Sequence, residues 1–134
     1  QNRIDWHYQA VTVLADADLI FLDPDNGMEV KPKSMTGRRK AKYAYYSELQ
    51  YYFEQNQAII TIQFARQCDT IKRAQTVRNE VNRRLVPTHS LPIVRGRVAP
   101  NILFLSVAPE GIARQLEAAL RSFGKVGPKV ELIF

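Results

Sequence analysis

The chain has 134 residues, 46% of them hydrophobic, with a formal net charge of +6 and a pI near 9.7. A chain of this length can bury one hydrophobic core but not two, so we expect residues 1–134 to form a single domain. The lone cysteine, Cys68, excludes a disulfide framework and multi-cysteine metal sites, and no run of about 18 apolar residues is present. We therefore expect a cytoplasmic protein with no membrane partner. Because the chain begins at Gln1, within a predicted helix, we also expect it to be the C-terminal part of a longer protein.

Apolar spacing along the chain predicts four helices and five strands, largely in alternation. In chain order they are a helix up to Ala15, a strand at 19–22, a helix at 45–55, a strand at 58–63, a helix from Asp69 or Thr70 to Pro87, strands at 93–98 and 102–107, a helix from Pro109 to Gly124 and a strand at 130–134. Strands that alternate with helices favour a parallel sheet with helices on its faces. The predicted fold class is therefore α/β, a Rossmann-like three-layer sheet that is mainly parallel with an antiparallel C-terminal edge.

The same spacing predicts which residues face the core. The strand at 19–22 has no alternation of apolar and polar residues, so we expect both of its faces to be covered. Ile71 and Phe123 are expected to face inward from their helices. The first helix is expected to pack inward through Ile4, Tyr8, Val11, Leu14 and Ala15.

The strand at 19–22 ends in an acidic turn, Asp23-Pro24-Asp25-Asn26-Gly27. Pro24 cannot donate to a sheet ladder and Gly27 tolerates positive φ, so the strand stops where the polar residues begin. Ligands in open α/β sheets bind just beyond the carboxyl ends of such strands. We therefore predict that Asp23, Asp25 and Asn26 are catalytic. An ordinary surface turn of the same composition is the alternative.

Basic residues cluster directly after this turn. Phosphate contacts supply sequence-independent affinity, so the expected partner is nucleic acid or a nucleotide, and a solvated basic loop is the alternative. The neighbouring rings of Tyr43 and Tyr45 could stack on bases or belong to the core. Five residues are predicted to bind nucleic acid: Lys31, Lys33, Arg38, Arg39 and Lys40.

The order of these features resembles a family of largely uncharacterised bacterial proteins with the signature Phe-Leu-Asp-Pro-Asp-Asn-Gly. In that family the signature is followed by Lys-Tyr, by Glu-Leu and by a second apolar strand that ends in Gln-His. The resemblance covers most of this chain, which has Gln63-Phe64 in place of Gln-His. Around the acidic turn we expect the substrate-binding residues to be Pro24, Gly27, Lys42, Tyr43, Glu48, Gln63 and Arg66.

The turn is also similar to motif IV of class I S-adenosylmethionine-dependent methyltransferases, the Asp-Pro-Pro-Tyr type that acts on amino groups of bases. In that motif the first acid or amide accepts a hydrogen bond from the target amino group, and the aromatic residue stacks on the base. The resemblance implies that Asp23 polarises the amine and Pro24 shapes the turn, with Asn26 where the motif has its aromatic residue. The implied cofactor is S-adenosylmethionine. Its Gly-rich loop and acidic ribose ligand would then precede this chain.

Two other functions remain open from the residues themselves. Asp-x-Asp after an apolar strand resembles the first motif of haloacid-dehalogenase-type phosphatases, in which Asp23 would be the nucleophile and Mg²⁺ ligand and Asp25 the acid/base. Thr61 or Gln63 would then bind phosphate. The other function is a non-catalytic module that binds nucleic acid or a partner subunit through its basic segment. The two histidines are expected to be structural or exposed, and neither a metal ligand set nor an oligomeric state is predicted.

Overall fold

The computed structural model describes residues 2–29, 41–66, 68–98 and 101–134. The five residues predicted to bind nucleic acid, Lys31, Lys33, Arg38, Arg39 and Lys40, lie outside the described residues. All of the predicted helices and strands are present, and the chain is an α/β protein. They are α1 (Arg3–Val13), β1 (Leu19–Leu22), α2 (Tyr46–Glu54), β2 (Ala58–Phe64), α3 (Thr70–Leu85), β3 (Ile93–Gly96), β4 (Ile102–Val107), α4 (Glu110–Phe123) and β5 (Val130–Ile133).

Polar side chains define the starts of two helices, as expected of N-caps. The Asn2 side chain accepts the backbone N–H of Asp5 at the start of α1, and Asp69 accepts that of Lys72 at the start of α3. Of the two residues at which this helix was expected to begin, Asp69 is the N-cap and Thr70 is the first helical residue. None of the described helices is both long and apolar enough to cross a membrane.

The strands form one mixed sheet in the order β1-β2-β4-β3-β5. β1 and β2 pair in parallel, whereas β4 is antiparallel to β2 and β3, and β3 is antiparallel to β5. The antiparallel C-terminal edge is confirmed, but the prediction of a mainly parallel sheet is wrong. The reason lies in the connection at 97–101, which is too short for the crossover that parallel neighbours need and instead joins β3 and β4 as a hairpin.

Helices pack on both faces of the sheet. Ala58 and Ile59 are adjacent in β2, so their side chains point to opposite faces, and they belong to two separate core clusters. α4 packs on the face of Ala58, through a cluster that includes Val94 and Phe104. The cluster on the face of Ile59 joins α2 and α3 to the sheet through Leu49, Tyr52, Ala74, Val77, Val81 and Leu85.

α1 turns a different face toward the protein than its apolar spacing predicts. Ile4 is 81% exposed and Tyr8 is 72% exposed, whereas Arg3 and His7 are partly buried. The cause is an ion pair between Arg3 and the buried Glu48 of α2, which fixes the rotation of the helix about its axis. The predicted inward face is therefore wrong for Ile4, Tyr8 and the exposed Ala15, while Val11 and Leu14 do pack against the core.

β1 is covered on one face only. Ile20 is buried, but Leu19 is 46% exposed and Phe21 is 55% exposed. The prediction that both faces are covered is wrong because β1 lies at the end of the strand order, and the cluster beneath α4 contains no residue of β1. Ile71 and Phe123, also expected to face inward, are likewise exposed.

Candidate functional site

A cavity of about 830 Å³ lies at the carboxyl end of β1 and extends along α1. Its carboxylates come from the acidic turn and from α2: Asp23, Asp25 and Glu48. Pockets of this size accommodate small organic ligands. Its walls are rich in aromatic rings, contributed by Trp6, Phe21, Tyr43, Tyr45 and Tyr52.

The acidic turn is held in place by backbone hydrogen bonds to residues 42–44. The Asn26 N–H donates to the Lys42 carbonyl at 2.8 Å, and the Ala44 N–H donates to the Gly27 carbonyl at 3.0 Å. Met28 and Ala44 form a parallel bridge that extends this pairing. Asp23 and Asp25 remain exposed at the cavity, so the turn presents two carboxylates on a backbone that is fixed at its far end.

Gln63 at the end of β2 supports the turn from beneath. Its side chain is buried, its Oε1 accepts the Met28 N–H at 2.8 Å and its Nε2 donates to the Phe64 carbonyl at 3.0 Å. Gly27 has φ +83°, a conformation that glycine adopts readily. The close approach of Gln63 to Gly27 leaves no room for a larger residue at position 27. The side-chain amide of Gln63 thus binds backbone groups on both sides, at Met28 just after the turn and at Phe64 in β2.

Glu48 and Arg3 form the polar floor of the cavity. Arg3 donates from Nε to Glu48 Oε2 at 2.8 Å and from Nη2 to Oε1 at 2.6 Å. Glu48 also accepts the Tyr45 N–H at 3.0 Å, and Arg3 donates to the Tyr43 carbonyl at 2.8 Å. The hydrogen bond to Glu48 raises the pKa of Arg3. Arg3 therefore keeps its positive charge, and the hydrogen-bonding capacity of the pair is largely used within the protein.

Arg3 also orders the aromatic walls. Its guanidinium carbon lies 4.7 Å from the ring centre of Trp6 and 4.5 Å from that of Tyr45, at distances typical of cation–π contacts. Two rings of the cavity lining are thereby held around one cation. Stacked planar surfaces of this kind suit a flat aromatic ligand.

His7 is another partly buried residue of the cavity lining. Its ring makes edge contacts with Tyr51 and Tyr52, with centroids 5.7 and 5.4 Å away, and its Nδ1 is 3.9 Å from Glu48 Oε2. Its Nε2 is buried and has no hydrogen-bond partner among the described residues. Burial, and to a lesser degree Glu48, raises the pKa of Tyr52, so the phenol beside His7 stays neutral at physiological pH.

The residues predicted from the sequence fall into three groups. Those that line the cavity are Asp23, Pro24, Asp25, Tyr43 and Glu48. Those that hold the turn without lining the cavity are Asn26, Gly27 and Gln63, together with the backbone of Lys42. Arg66 stands apart, since it is exposed and its guanidinium lies 4.7 Å from the ring of Phe64.

Sequence reasoning missed the contribution of α1. Arg3, Trp6 and His7 line the cavity together with Ala10 and Leu14. Their spacing of three and four residues is that of one helix face, so the pattern was present in the sequence. It was obscured because polar residues occupy the inward positions, whereas Ile4 and Tyr8 face outward.

Known proteins give no match from which a function of the site could be inferred. No protein-family model, curated protein or solved structure matches the chain. Within residues 2–29, 41–66, 68–98 and 101–134, no group of three or more His, Cys, Asp or Glu side chains is arranged to hold a metal ion.

The charges of the cavity define what it can bind. Three carboxylates line it, and the positive charge of Arg3 is already paired with one of them, Glu48. The remaining two, on Asp23 and Asp25, accept hydrogen bonds and attract cations or N–H donors. The described lining therefore combines aromatic surfaces with acceptor groups, and its net negative charge disfavours a phosphate.

Proposed function

We propose that this chain recognises a nucleic-acid base or a nucleotide, and that the base carries an amino group which donates to the acidic turn. The observation that supports this most directly is that Asp23 and Asp25 line the same cavity as five aromatic rings. Carboxylates accept from exocyclic amino groups, and every base has a face that stacks on an aromatic side chain. The similarity of the turn to motif IV of base-modifying methyltransferases supports the same ligand.

The fold is compatible with a Rossmann-like, methyltransferase-like protein. β1 and β2 are consecutive parallel strands joined by α2, and the acidic turn follows the carboxyl end of β1, where such folds place their ligands. We also propose that the chain has a Rossmann-like three-layer arrangement, that its cofactor is S-adenosylmethionine and that its partner is a nucleic acid.

The described residues do not form a complete site for S-adenosylmethionine. That cofactor needs a Gly-rich loop between a strand and a helix, in the class of fold that the turn resembles. The described glycines occupy other places: the acidic turn (Gly27), the end of β3 (Gly96), α4 and its C-terminus (Gly111 and Gly124) and the turn before β5 (Gly127). The described residues therefore support recognition of a base and do not by themselves support a methyl-transfer step.

Fluorescence titration tests the proposal, because Trp6 is the only tryptophan of the chain and lines the cavity. Adenosine and cytidine are expected to change its emission at lower concentrations than inosine and uridine, which lack the amino group. Replacing Asp23 by Asn is expected to weaken adenosine binding at least tenfold, since hydrogen bonds to charged groups contribute about 1.5–3 kcal/mol. Glu117→Gln, a change at a partly exposed residue of α4 that does not line the cavity, is the control and should bind as the native chain does.

Equal affinity for all four nucleosides, or equal behaviour of the Asp23 and Glu117 variants, would contradict base recognition by the turn. Magnesium-dependent phosphatase activity that is lost in Asp23→Asn would instead support the phosphohydrolase, which is favoured by the two exposed carboxylates at one cavity. Salt-sensitive binding of single-stranded DNA that survives Asp23→Ala would support the non-catalytic module.

A further inference from the structure

We propose that the outer edge of β1 binds an extended segment of a partner protein, in which alternating apolar residues are flanked by lysine or arginine. The segment would add a sixth strand to the sheet. β1 lies at the end of the strand order and pairs only with β2 among the described strands. Edge strands are ordinarily protected by Lys, Pro or a bulge, and the four residues of β1, Leu19 to Leu22, include no charged residue and no proline.

The cavity provides the space for such a strand. α1 contributes Ala10 and Leu14 to its wall, and β1 contributes Phe21 and Leu22. The Leu14 carbonyl accepts from the Gln57 side chain, just before β2, so this end of α1 lies near the start of β1. A segment beside β1 would therefore place alternate side chains against α1 and against the exposed face of Leu19 and Phe21. The acidic turn, where we propose that a base binds, lies at the opposite end of β1.

Charge identifies the chemistry of the partner. Asp16 and Asp18 precede β1 and Asp23 and Asp25 follow it, and all four are exposed in a protein whose net charge is +6. A segment with basic flanks would meet a carboxylate at both ends. A second copy would not fit as well, because antiparallel pairing of two β1 strands brings Asp18 of one chain toward Asp23 of the other. Strand addition is an established mode of peptide recognition, with affinity from main-chain hydrogen bonds.

The test uses the ¹⁵N-labelled chain and three synthetic peptides in an NMR titration. The first peptide is Lys-Lys-Val-Thr-Val-Thr-Val-Lys-Lys, the second has Glu in place of every Lys, and the third is the first with N-methylated backbone amides at alternate residues. The first is expected to shift the amide signals of residues 19–22 and to give intermolecular contacts with their backbone. The second is expected to bind at least tenfold more weakly, and the third not at all.

The proposal is overturned if the methylated peptide binds like the first, because side-chain contacts alone would then explain the affinity. It is also overturned if the shifted signals lie away from β1, or if sedimentation shows that the chain occupies this edge by self-association. The double variant Asp16→Asn, Asp18→Asn is expected to weaken binding of the first peptide about two- to thirtyfold, the range for two surface ion pairs. Neither residue lines the cavity, so adenosine binding should not change in this variant. That result separates failure of the strand site from failure of the base site.

Discussion

Gly27 is the position at which one added methyl group should disturb the acidic turn most. Its φ of +83° lies in the left-handed region, and a Cβ atom there would be 2.6 Å from Oε1 and Nε2 of Gln63. Gln63 cannot simply move aside, because it is 2% exposed and its Oε1 accepts the buried Met28 N–H. Replacing Gly27 by Ala must therefore either strain the backbone or break the hydrogen bond between Gln63 and Met28, next to Asp25 and Asn26.

The cost follows from two separate contributions. A non-glycine residue in the left-handed region costs about 1–2 kcal/mol, and overpacking of a buried contact costs about 1–3 kcal/mol. We expect Gly27→Ala to lower the free energy of unfolding by about 3 kcal/mol. Gln63→Ala alone leaves the Met28 N–H without its acceptor and should cost about 2 kcal/mol. In the double variant the steric contact is gone, so the loss should be smaller than the sum of the two single losses by about 1–2 kcal/mol.

Urea unfolding followed by the emission of Trp6 measures these differences. Gly111→Ala is the matched control, since Gly111 lies in α4 and an added Cβ there meets nothing within 4 Å. Because alanine is favoured over glycine in helices but Gly111 lies in the first turn, this control should be as stable as the native chain or more stable by up to about 1 kcal/mol. The reasoning is refuted if Gly27→Ala loses less than about 0.5 kcal/mol, a range usual for surface substitutions, or if the two single losses simply add.

Four further changes test other parts of the structure. Glu48→Gln removes the charge that pairs with Arg3 and should lower the free energy of unfolding in urea by about 2–3 kcal/mol, less than the loss expected for a fully buried pair. Unchanged stability would contradict a structural role for this ion pair. Burial raises the pKa of Tyr52 above the usual 10.0, so the native chain should lose stability as pH rises above 10.0, and Tyr52→Phe should lose less. Hydrogen bonds from Arg83, the largest cause, and from Arg84 lower the pKa of Glu80 from 4.5 to about 2. NMR titration should therefore give a midpoint near 2 that rises toward 4.5 in Arg83→Gln. The stabilisation by the pair of Arg83 and Glu80 should fade as the pH falls from 4.5 toward 2. Val86 ends α3 with φ 49°, so Val86→Gly should raise the free energy of unfolding by about 1 kcal/mol, and a decrease would contradict strain at this position.

Local sequence patterns were sufficient to locate the helices and strands. In α3, Asp69 caps the first turn, and Val77 and Val81 recur at the spacing of one buried face. These signals act within a few residues of each other, so they can be read without knowing the fold. The direction of the strands depends on connections, and the short link at 97–101 determines that β3 and β4 are antiparallel. The alternation of helices and strands predicts parallel neighbours only where a connection is long enough for a crossover, and this one is not.

From spacing and composition alone, the site could be predicted only where its residues are local to the turn, whereas Tyr43 and Glu48 are expected only from the resemblance to a family with the same signature. Asp23 and Asp25 follow directly from an apolar strand that ends in turn residues. The inward position of Arg3 depends instead on Glu48, 45 residues further along the chain, whose burial is itself set by the packing of α2. An arginine at the start of a helix is ordinarily solvated, so its sequence neighbours alone could not show that it forms the floor of a cavity.

The described lining of the cavity has a net negative charge, whereas the whole chain has a net positive charge. This difference restricts how a nucleotide can approach the site. The cavity presents the carboxylates of Asp23 and Asp25, for which the described part of the chain shows no ion-pair partner, although the chain as a whole carries a net charge of +6. A nucleotide that entered phosphate first would meet two negative charges, whereas one that entered base first would present its amino group to them. Adding a 5′ phosphate to adenosine should therefore strengthen binding only through cations outside the cavity. That gain should disappear at high salt, while the contribution of the base, made in a partly enclosed site, should remain.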